Sequence, residues 1–120
     1  MGRRVLIVDD SMLMRLLVRD ALTPKGFEIA GEAANGAEGV KKYNELKPDV
    51  VTMDVTMGVQ DGFEAARRIL ASDPKARIIM VSALGQEKML QDCIAIGVRD
   101  FVTKPFTKER IVSAVEKALG

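Results

Sequence analysis

The chain has 120 residues, of which 48% are hydrophobic and 29% charged, a balance typical of one globular domain. Its 18 basic and 17 acidic residues nearly cancel, which argues against nucleic acid as the main partner because such binding needs a large positive field. The absence of histidine and the single cysteine exclude an internal disulfide, zinc sites built on these residues and histidine acid–base chemistry.

The N-terminus leads into a strand-like run within a few residues, which leaves no room for a signal peptide. No apolar stretch approaches the roughly 18 residues that a membrane span needs. We therefore expect one domain over residues 1–120, located in the cytoplasm and without a nucleic acid or membrane partner.

Strand-like and helix-like segments alternate along the chain. Apolar and β-branched runs predict strands at about residues 4–9, 27–32, 49–53, 77–82 and 98–103. Capping and breaking residues predict helices at about residues 12–25, 36–46, 63–71, 86–96 and 107–119. Five such βα units predict an α/β fold, an open parallel sheet with helices on both faces. Ligands of such sheets bind at the carboxyl ends of the strands.

Charged residues follow three of the predicted strands at that edge. Asp9 and Asp10 end the first strand, Asp54 ends the third and Lys104 follows the fifth. Charge beside buried apolar strands is costly, so four charged groups in such places need a common reason. A shared site for a divalent cation and a phosphoryl group provides one.

The three aspartates predict a magnesium site. If the first and third strands are neighbours, the carboxylates lie within a few Å and repel one another unless a cation is bound. Magnesium takes a few carboxylate oxygens and keeps waters and a phosphate oxygen, and the backbone carbonyl of Thr56 is a further candidate ligand. The simpler interpretation is that Asp9 and Asp10 form an acidic turn that caps a helix.

Asp54 is the candidate nucleophile, because a carboxylate can attack a phosphoryl group and form an acyl phosphate. Such transfer depends on positioning and charge neutralisation, so the lack of histidine is no obstacle. Lys104 can supply a point charge to one phosphoryl oxygen, and Ser82, at the end of the fourth strand, can donate a hydroxyl to another. Alternatively, Ser82 only caps the approach to the next helix.

Four segments carry a family resemblance. They are VLIVDDS at 5–11, VTMDVTM at 51–57, VSA at 81–83 and FVTKPF at 101–106. In this order and spacing they resemble the receiver domain of two-component response regulators, over the whole chain. Met14-Arg15, Gly31-Glu32-Ala33 and residues 82–85 are most similar to single-domain chemotaxis regulators of the CheY type. The resemblance implies a flavodoxin-like fold with strand order 2-1-3-4-5.

The resemblance also implies roles for the site residues. Asp54 would receive phosphate from a phosphohistidine of a kinase, and Lys104 would contact the acyl phosphate. Asp9, Asp10 and the Thr56 carbonyl would hold magnesium, Asp9 through water, with manganese as a substitute. In the switch, Ser82 would move toward the phosphoryl group and Phe101 would turn inward. The Lys104–Pro105 bond would be cis.

Two positions depart from the family pattern. Met57 is followed by Gly58 where proline is usual, which predicts a more mobile loop and weaker metal binding. The aromatic switch position holds Phe101, which lacks the hydroxyl of the usual tyrosine.

The fourth predicted helix carries a candidate partner surface. Met89, Cys93 and Ile96 follow helical spacing and predict a buried stripe. Leu90 and Ile94 lie off that stripe and are expected to be exposed. With Phe101 they would form a docking patch with Lys108 at its rim; ordinary scatter of apolar surface residues is the alternative.

The sequence thus predicts a phosphorylation switch that catalyses its own phosphorylation and dephosphorylation, not a metabolic enzyme. The expected partners are a histidine kinase of the chemotaxis type, the flagellar motor switch protein and a phosphatase, and the expected state is a monomer. The alternatives are a phosphorelay intermediate or a receiver from a larger regulator. A flavodoxin-like cofactor carrier is disfavoured because the first strand leads into an acid pair rather than a phosphate-binding loop.

Overall fold

The computed structural model describes residues 2–55, 57 and 61–120. These contain five strands: β1 (Arg4–Val8), β2 (Glu28–Ala33), β3 (Val50–Asp54), β4 (Ile78–Ser82) and β5 (Asp100–Thr103). The helices are α1 (Met12–Leu22), α2 (Gly36–Leu46), α3 (Gly62–Ser72), α4 (Glu87–Ile96) and α5 (Lys108–Leu119). A short 3₁₀ helix, Thr23–Lys25, follows α1. No helix within the described ranges has the length and apolar character needed to cross a membrane.

The strands form one parallel sheet in the order β2-β1-β3-β4-β5, which confirms the predicted flavodoxin-like fold. Neighbouring strands end in register: Val8 pairs with Ala33 on one side and Met53 on the other, and Ser82 pairs with Thr103. The residues that follow these pairs therefore meet at one edge, which we call the carboxyl edge.

The sheet separates two apolar cores. Alternate strand residues point to opposite faces, so Leu6 and Met53 pack with α2, α3 and α4, whereas Val5 and Ile79 pack with α1 and α5. β3 and β4 are buried along their whole length, which explains why both read as continuous apolar runs.

Helix starts agree with the predicted caps. Ser11, Asn35 and Thr107 each accept a hydrogen bond from a backbone N–H of the first turn, and Asp61 does the same for α3. Because the cap of α1 is Ser11, the acid pair Asp9-Asp10 is not needed for that purpose.

Two element boundaries were predicted wrongly. α1 stops at Leu22, three residues early, because Pro24 lacks the N–H that an α-helix would use, and Gly26 closes the following 3₁₀ turn at φ 88°. β5 begins at Asp100 rather than residue 98. The Val98 N–H donates to the carbonyl of Cys93 and so belongs to the end of α4.

Candidate metal and phosphoacceptor site at the carboxyl edge

Asp9, Asp10 and Asp54 converge at the carboxyl edge, and we call them the acid cluster. One carboxylate oxygen of each lies within 4.8 Å of those of the other two. Asp9 and Asp54 are buried, whereas Asp10 is exposed. Three carboxylates at this spacing repel one another, and an oxygen-preferring divalent cation removes the repulsion. The donor set and its partly open position therefore fit magnesium.

Lys104 provides the positive charge of the site. Its Nζ lies 3.3 Å from Oδ2 of Asp9 and 3.6 Å from Oδ1 of Asp54. The backbone N–H of Lys104 donates to the carbonyl of Ser82 at 2.6 Å, which ties the end of β5 to the end of β4. The Lys104–Pro105 peptide bond is cis. One ammonium thus contacts two of the three carboxylates and leaves the cluster with net negative charge.

Ser82 brings an unsatisfied hydroxyl to the same edge. The residue is 0% exposed, and its Oγ has no hydrogen-bond partner within the part of the chain that the structure describes. A buried hydroxyl without a partner costs about 1–3 kcal/mol, so its position calls for an explanation. A phosphoryl oxygen bound between Asp54 and Lys104 would supply the missing acceptor.

Asp9 is held firmly by its neighbours. Its N–H donates to the carbonyl of Ala33 at 3.0 Å, and its Oδ1 accepts from the N–H of Ser11 at 2.9 Å. These bonds orient the Asp9 carboxylate toward Lys104 before any ligand binds, which is the preorganisation that an ion site requires.

Gly62, at the start of α3, supports Asp54 from behind. Its N–H donates to the carbonyl of Val55 at 2.7 Å, and a Cβ at this position would lie 1.9 Å from the carbonyl oxygen of Asp54. Only glycine permits this approach of helix to strand end. This contact joins residues eight positions apart around a loop, so no local sequence pattern indicates it.

The expected docking patch on α4 is only partly present. Met89, Cys93 and Ile96 pack against the core as predicted, and burial raises the pKa of the Cys93 thiol to about 11. The expectation that Leu90 is exposed was wrong: it is 6% exposed, because it lies three residues before Cys93 and shares its face. Ile94 is 51% exposed.

Phe101 is half-buried and lines a groove with Leu84, Leu90 and Ile94. Lys108 lines a different groove, between α1 and α5, and its expected place at the rim of the patch stays a prediction. The α5 cation that contacts Phe101 is Arg110, whose Nη2 donates to the Phe101 carbonyl at 2.8 Å. Lys108 is the first residue of α5 and lines that groove together with Asp20 and Ala21 of α1.

Two further expectations concern Thr56, as a carbonyl ligand, and Gly58, as the cause of a mobile loop. Both residues lie outside those that the structure describes.

An open parallel sheet with acids, a lysine and a serine at its carboxyl edge defines a receiver-type site, and the comparisons agree. Residues 5–116 match the model of the response regulator receiver domain family. The chain belongs to this family, as the sequence resemblance predicted.

Chemotaxis proteins CheY are among its similar relatives. The chain is 51% identical to CheY of Thermotoga maritima over 98% of both chains, and 49% identical to CheY of Bacillus subtilis over 100% of both. The fold matches a chain of the CheX–CheY–BeF₃–Mg²⁺ complex from Borrelia burgdorferi with a TM-score of 0.93 at 37% identity, covering 98% of this chain and 89% of that one. It also matches the response regulator domain of T. maritima CheB with a TM-score of 0.91 at 34% identity, covering 99% and 97%. The chain is therefore a receiver domain of the CheY type.

Proposed function

We propose that this chain is a phosphorylation-controlled switch whose phosphoacceptor is Asp54. The observation that supports this most directly is that the acid cluster, the Lys104 ammonium and the Ser82 hydroxyl, which has no partner among the described residues, meet at one edge of the sheet. Cation ligands, a nucleophile and two phosphoryl-oxygen partners are the parts that phosphoryl transfer needs.

In the proposed reaction, a carboxylate oxygen of Asp54 attacks the phosphorus of a phosphohistidine on the partner kinase. A P–O bond forms, the P–N bond breaks, and its electron pair stays on the imidazole nitrogen. Lys104 stabilises the negative charge on one phosphoryl oxygen, and Ser82 donates its hydroxyl to another. Hydrolysis later returns the carboxylate and inorganic phosphate, when water attacks the phosphorus and the acyl P–O bond breaks.

Magnesium is the proposed cofactor, with manganese as a substitute. Asp9, Asp10 and Asp54 would hold it, together with the carbonyl of Thr56. When bound, the ion offsets the charge of the carboxylates and of the phosphoryl oxygens.

The proposed signal is a change in partner binding. Phosphorylation would bias an equilibrium between two surface states, with Ser82 and Phe101 as the switch residues. The target would dock on the groove formed by Phe101, Leu90 and the exposed Ile94. CheY relatives at about half identity support a role in chemotaxis, with a chemotaxis histidine kinase as phosphodonor and the flagellar motor switch as target. The CheX–CheY complex supports a CheX-like partner, which we propose is a phosphatase.

Labelling with acetyl phosphate tests the proposal without a kinase. With magnesium present, the wild-type chain should gain one phosphoryl group, and Asp54→Asn should gain none. The control is Asp20→Asn, which removes an equal charge from an exposed position on α1 and should label like wild type. Equal labelling of Asp54→Asn and wild type would refute Asp54 as the acceptor.

A further inference from the structure

The guanidinium of Arg15, which is not part of the acid cluster, donates a hydrogen bond to a backbone carbonyl of that cluster. Arg15, on the first turns of α1, donates from Nη1 to the carbonyl oxygen of Asp9 at 2.6 Å and from Nε to Oε1 of Glu32 at 3.0 Å. The Arg15 side chain is 16% exposed. It therefore bridges the end of β1 to β2 from a largely buried position on the side of β1 away from Asp54.

The bridge is anchored by Glu32. The other oxygen of this carboxylate accepts from Arg19, one turn further along α1, and the Glu32 carbonyl accepts from Lys42. Hydrogen bonds from Arg19 and Arg15 lower the pKa of Glu32 against the opposing effect of burial, so it remains ionised near neutral pH. Glu32 thereby fixes the plane of the Arg15 guanidinium.

The carbonyl that Arg15 contacts has a particular place in the site. It belongs to the peptide bond between Asp9 and Asp10, so its direction sets how the chain leaves β1 and where Asp10 lies. Asp9 is also held through its N–H and its carboxylate, whereas Asp10 is exposed. The Arg15 bond is therefore the contact that orients this peptide plane from outside the strand.

We propose that Arg15, oriented by Glu32, is a positioning residue for the divalent cation site, through the peptide bond that joins two of its ligands. The inference rests on the proposed magnesium site and adds to it a support from α1 and β2. A hydrogen-bonded partner behind a metal ligand commonly changes metal affinity about 10–100-fold.

A positioning role and a purely electrostatic role of Arg15 predict opposite changes in magnesium affinity when Arg15 is removed. Arg15 brings positive charge close to the acid cluster, and by Coulomb's law this charge opposes a cation. If charge alone mattered, removing Arg15 would leave magnesium affinity unchanged or increase it. If the bond to the Asp9 carbonyl matters, the same change should weaken magnesium binding.

Calorimetric titration of the full chain with magnesium separates the two roles. For Arg15→Met we expect a Kd at least about tenfold weaker than for wild type. The matched control is Arg19→Met, which removes the same charge and a bond to the same Glu32 but does not touch Asp9; its Kd should stay within about twofold of wild type. Magnesium binding by Arg15→Met as tight as wild type or tighter would overturn the proposal.

Arg15→Lys gives a second test that keeps the charge. One ammonium cannot reproduce both the Nη1 and Nε contacts, so positioning predicts a Kd several-fold weaker than wild type, whereas a charge role predicts no change. An unchanged Kd would overturn the proposal even if Arg15→Met failed to fold, which circular dichroism would reveal. If the wild-type chain itself did not bind magnesium, the proposed function would fail instead.

Discussion

At the residue scale, Lys104 is expected to serve the phosphoryl group rather than the metal. Its ammonium lies within 4 Å of carboxylate oxygens of Asp9 and Asp54, where a nearby positive charge opposes cation binding. Lys104→Met should therefore bind magnesium at least as tightly as wild type, while its labelling rate with acetyl phosphate falls roughly tenfold or more. Calorimetry and initial labelling rates at saturating magnesium measure the two effects.

The control for this change is Lys41→Met, at an exposed position on α2, which should leave both quantities as in wild type. If Lys104→Met lost magnesium binding and labelling together, the lysine would be holding the fold of the site rather than acting on phosphate.

Gly62 gives a second prediction at this scale. In Gly62→Ala the added methyl would lie 1.9 Å from the Asp54 carbonyl oxygen, so α3 or the end of β3 must move. We expect a loss of roughly 1–3 kcal/mol in the free energy of unfolding and slower labelling of Asp54. Denaturant unfolding followed by circular dichroism measures the first.

Gly31→Ala is the matched comparison, because its methyl would also be close, 2.7 Å, but to the flexible end of the Leu46 side chain. Its loss should be smaller. If Gly31→Ala lost more free energy of unfolding than Gly62→Ala, the close approach of residue 62 to the Asp54 carbonyl would not be the more restrictive of the two contacts.

At the element scale, a hydrogen bond joins α2 to the end of α3. The Tyr43 hydroxyl donates to Oδ2 of Asp73, the C-cap of α3, at 2.6 Å. Tyr43→Phe should reduce the free energy of unfolding by about 1 kcal/mol at neutral pH. Thermal or urea unfolding measures the difference.

The effect of Tyr43→Phe should depend on pH. The bond from Tyr43 lowers the pKa of Asp73 in the folded state, so its contribution is present above the unfolded pKa, about 4, and is lost as pH falls through the folded pKa. Burial and the Asp73 bond raise the pKa of Tyr43, so on the alkaline side the contribution is lost only when pH rises above about 10. A mutant difference that stayed constant down to pH 2 would contradict this assignment.

The elements were predictable where local chemistry decides them. Strand runs and caps such as Ser11 and Thr107 are set by residues a few positions apart, and the structure agrees with them. Leu90 was misjudged because a three-residue stripe was read as the whole buried face of α4, which in fact also includes the position three before Cys93. The start of β5 depended on a bond from Val98 back to α4 that no local pattern indicates.

At the scale of the whole molecule, the acid cluster links stability to the cation. Magnesium that binds only the folded state should stabilise it by about 1.4 kcal/mol at ten times its Kd. Asp10→Asn removes one of three mutually repelling charges, so it should be more stable than wild type in chelator and gain less from magnesium. Thermal unfolding with and without magnesium measures both; a destabilised Asp10→Asn in chelator would contradict the repulsion argument.

The sequence was sufficient to predict the sheet and the meeting of charges at its carboxyl edge. Strand ends in a parallel sheet share an edge, so the residue pattern placed Asp9, Asp54, Ser82 and Lys104 at one edge, and the strand order implied by the family resemblance made them neighbours. The contacts that hold the backbone of the site in place could not be predicted this way. Arg15 reaches a backbone carbonyl and Gly62 approaches another, and such contacts depend on how α1 and α3 pack rather than on a pattern along the chain.

The central claim is that this edge forms an acyl phosphate on Asp54 with the help of magnesium. The most direct measurement is acetyl phosphate labelling followed by borohydride reduction, which traps an aspartyl phosphate as its alcohol, and mass spectrometry of the peptides. We predict reduction at Asp54 when magnesium is present and none when it is chelated. Modification at another aspartate, or at Asp54 regardless of magnesium, would contradict the claim.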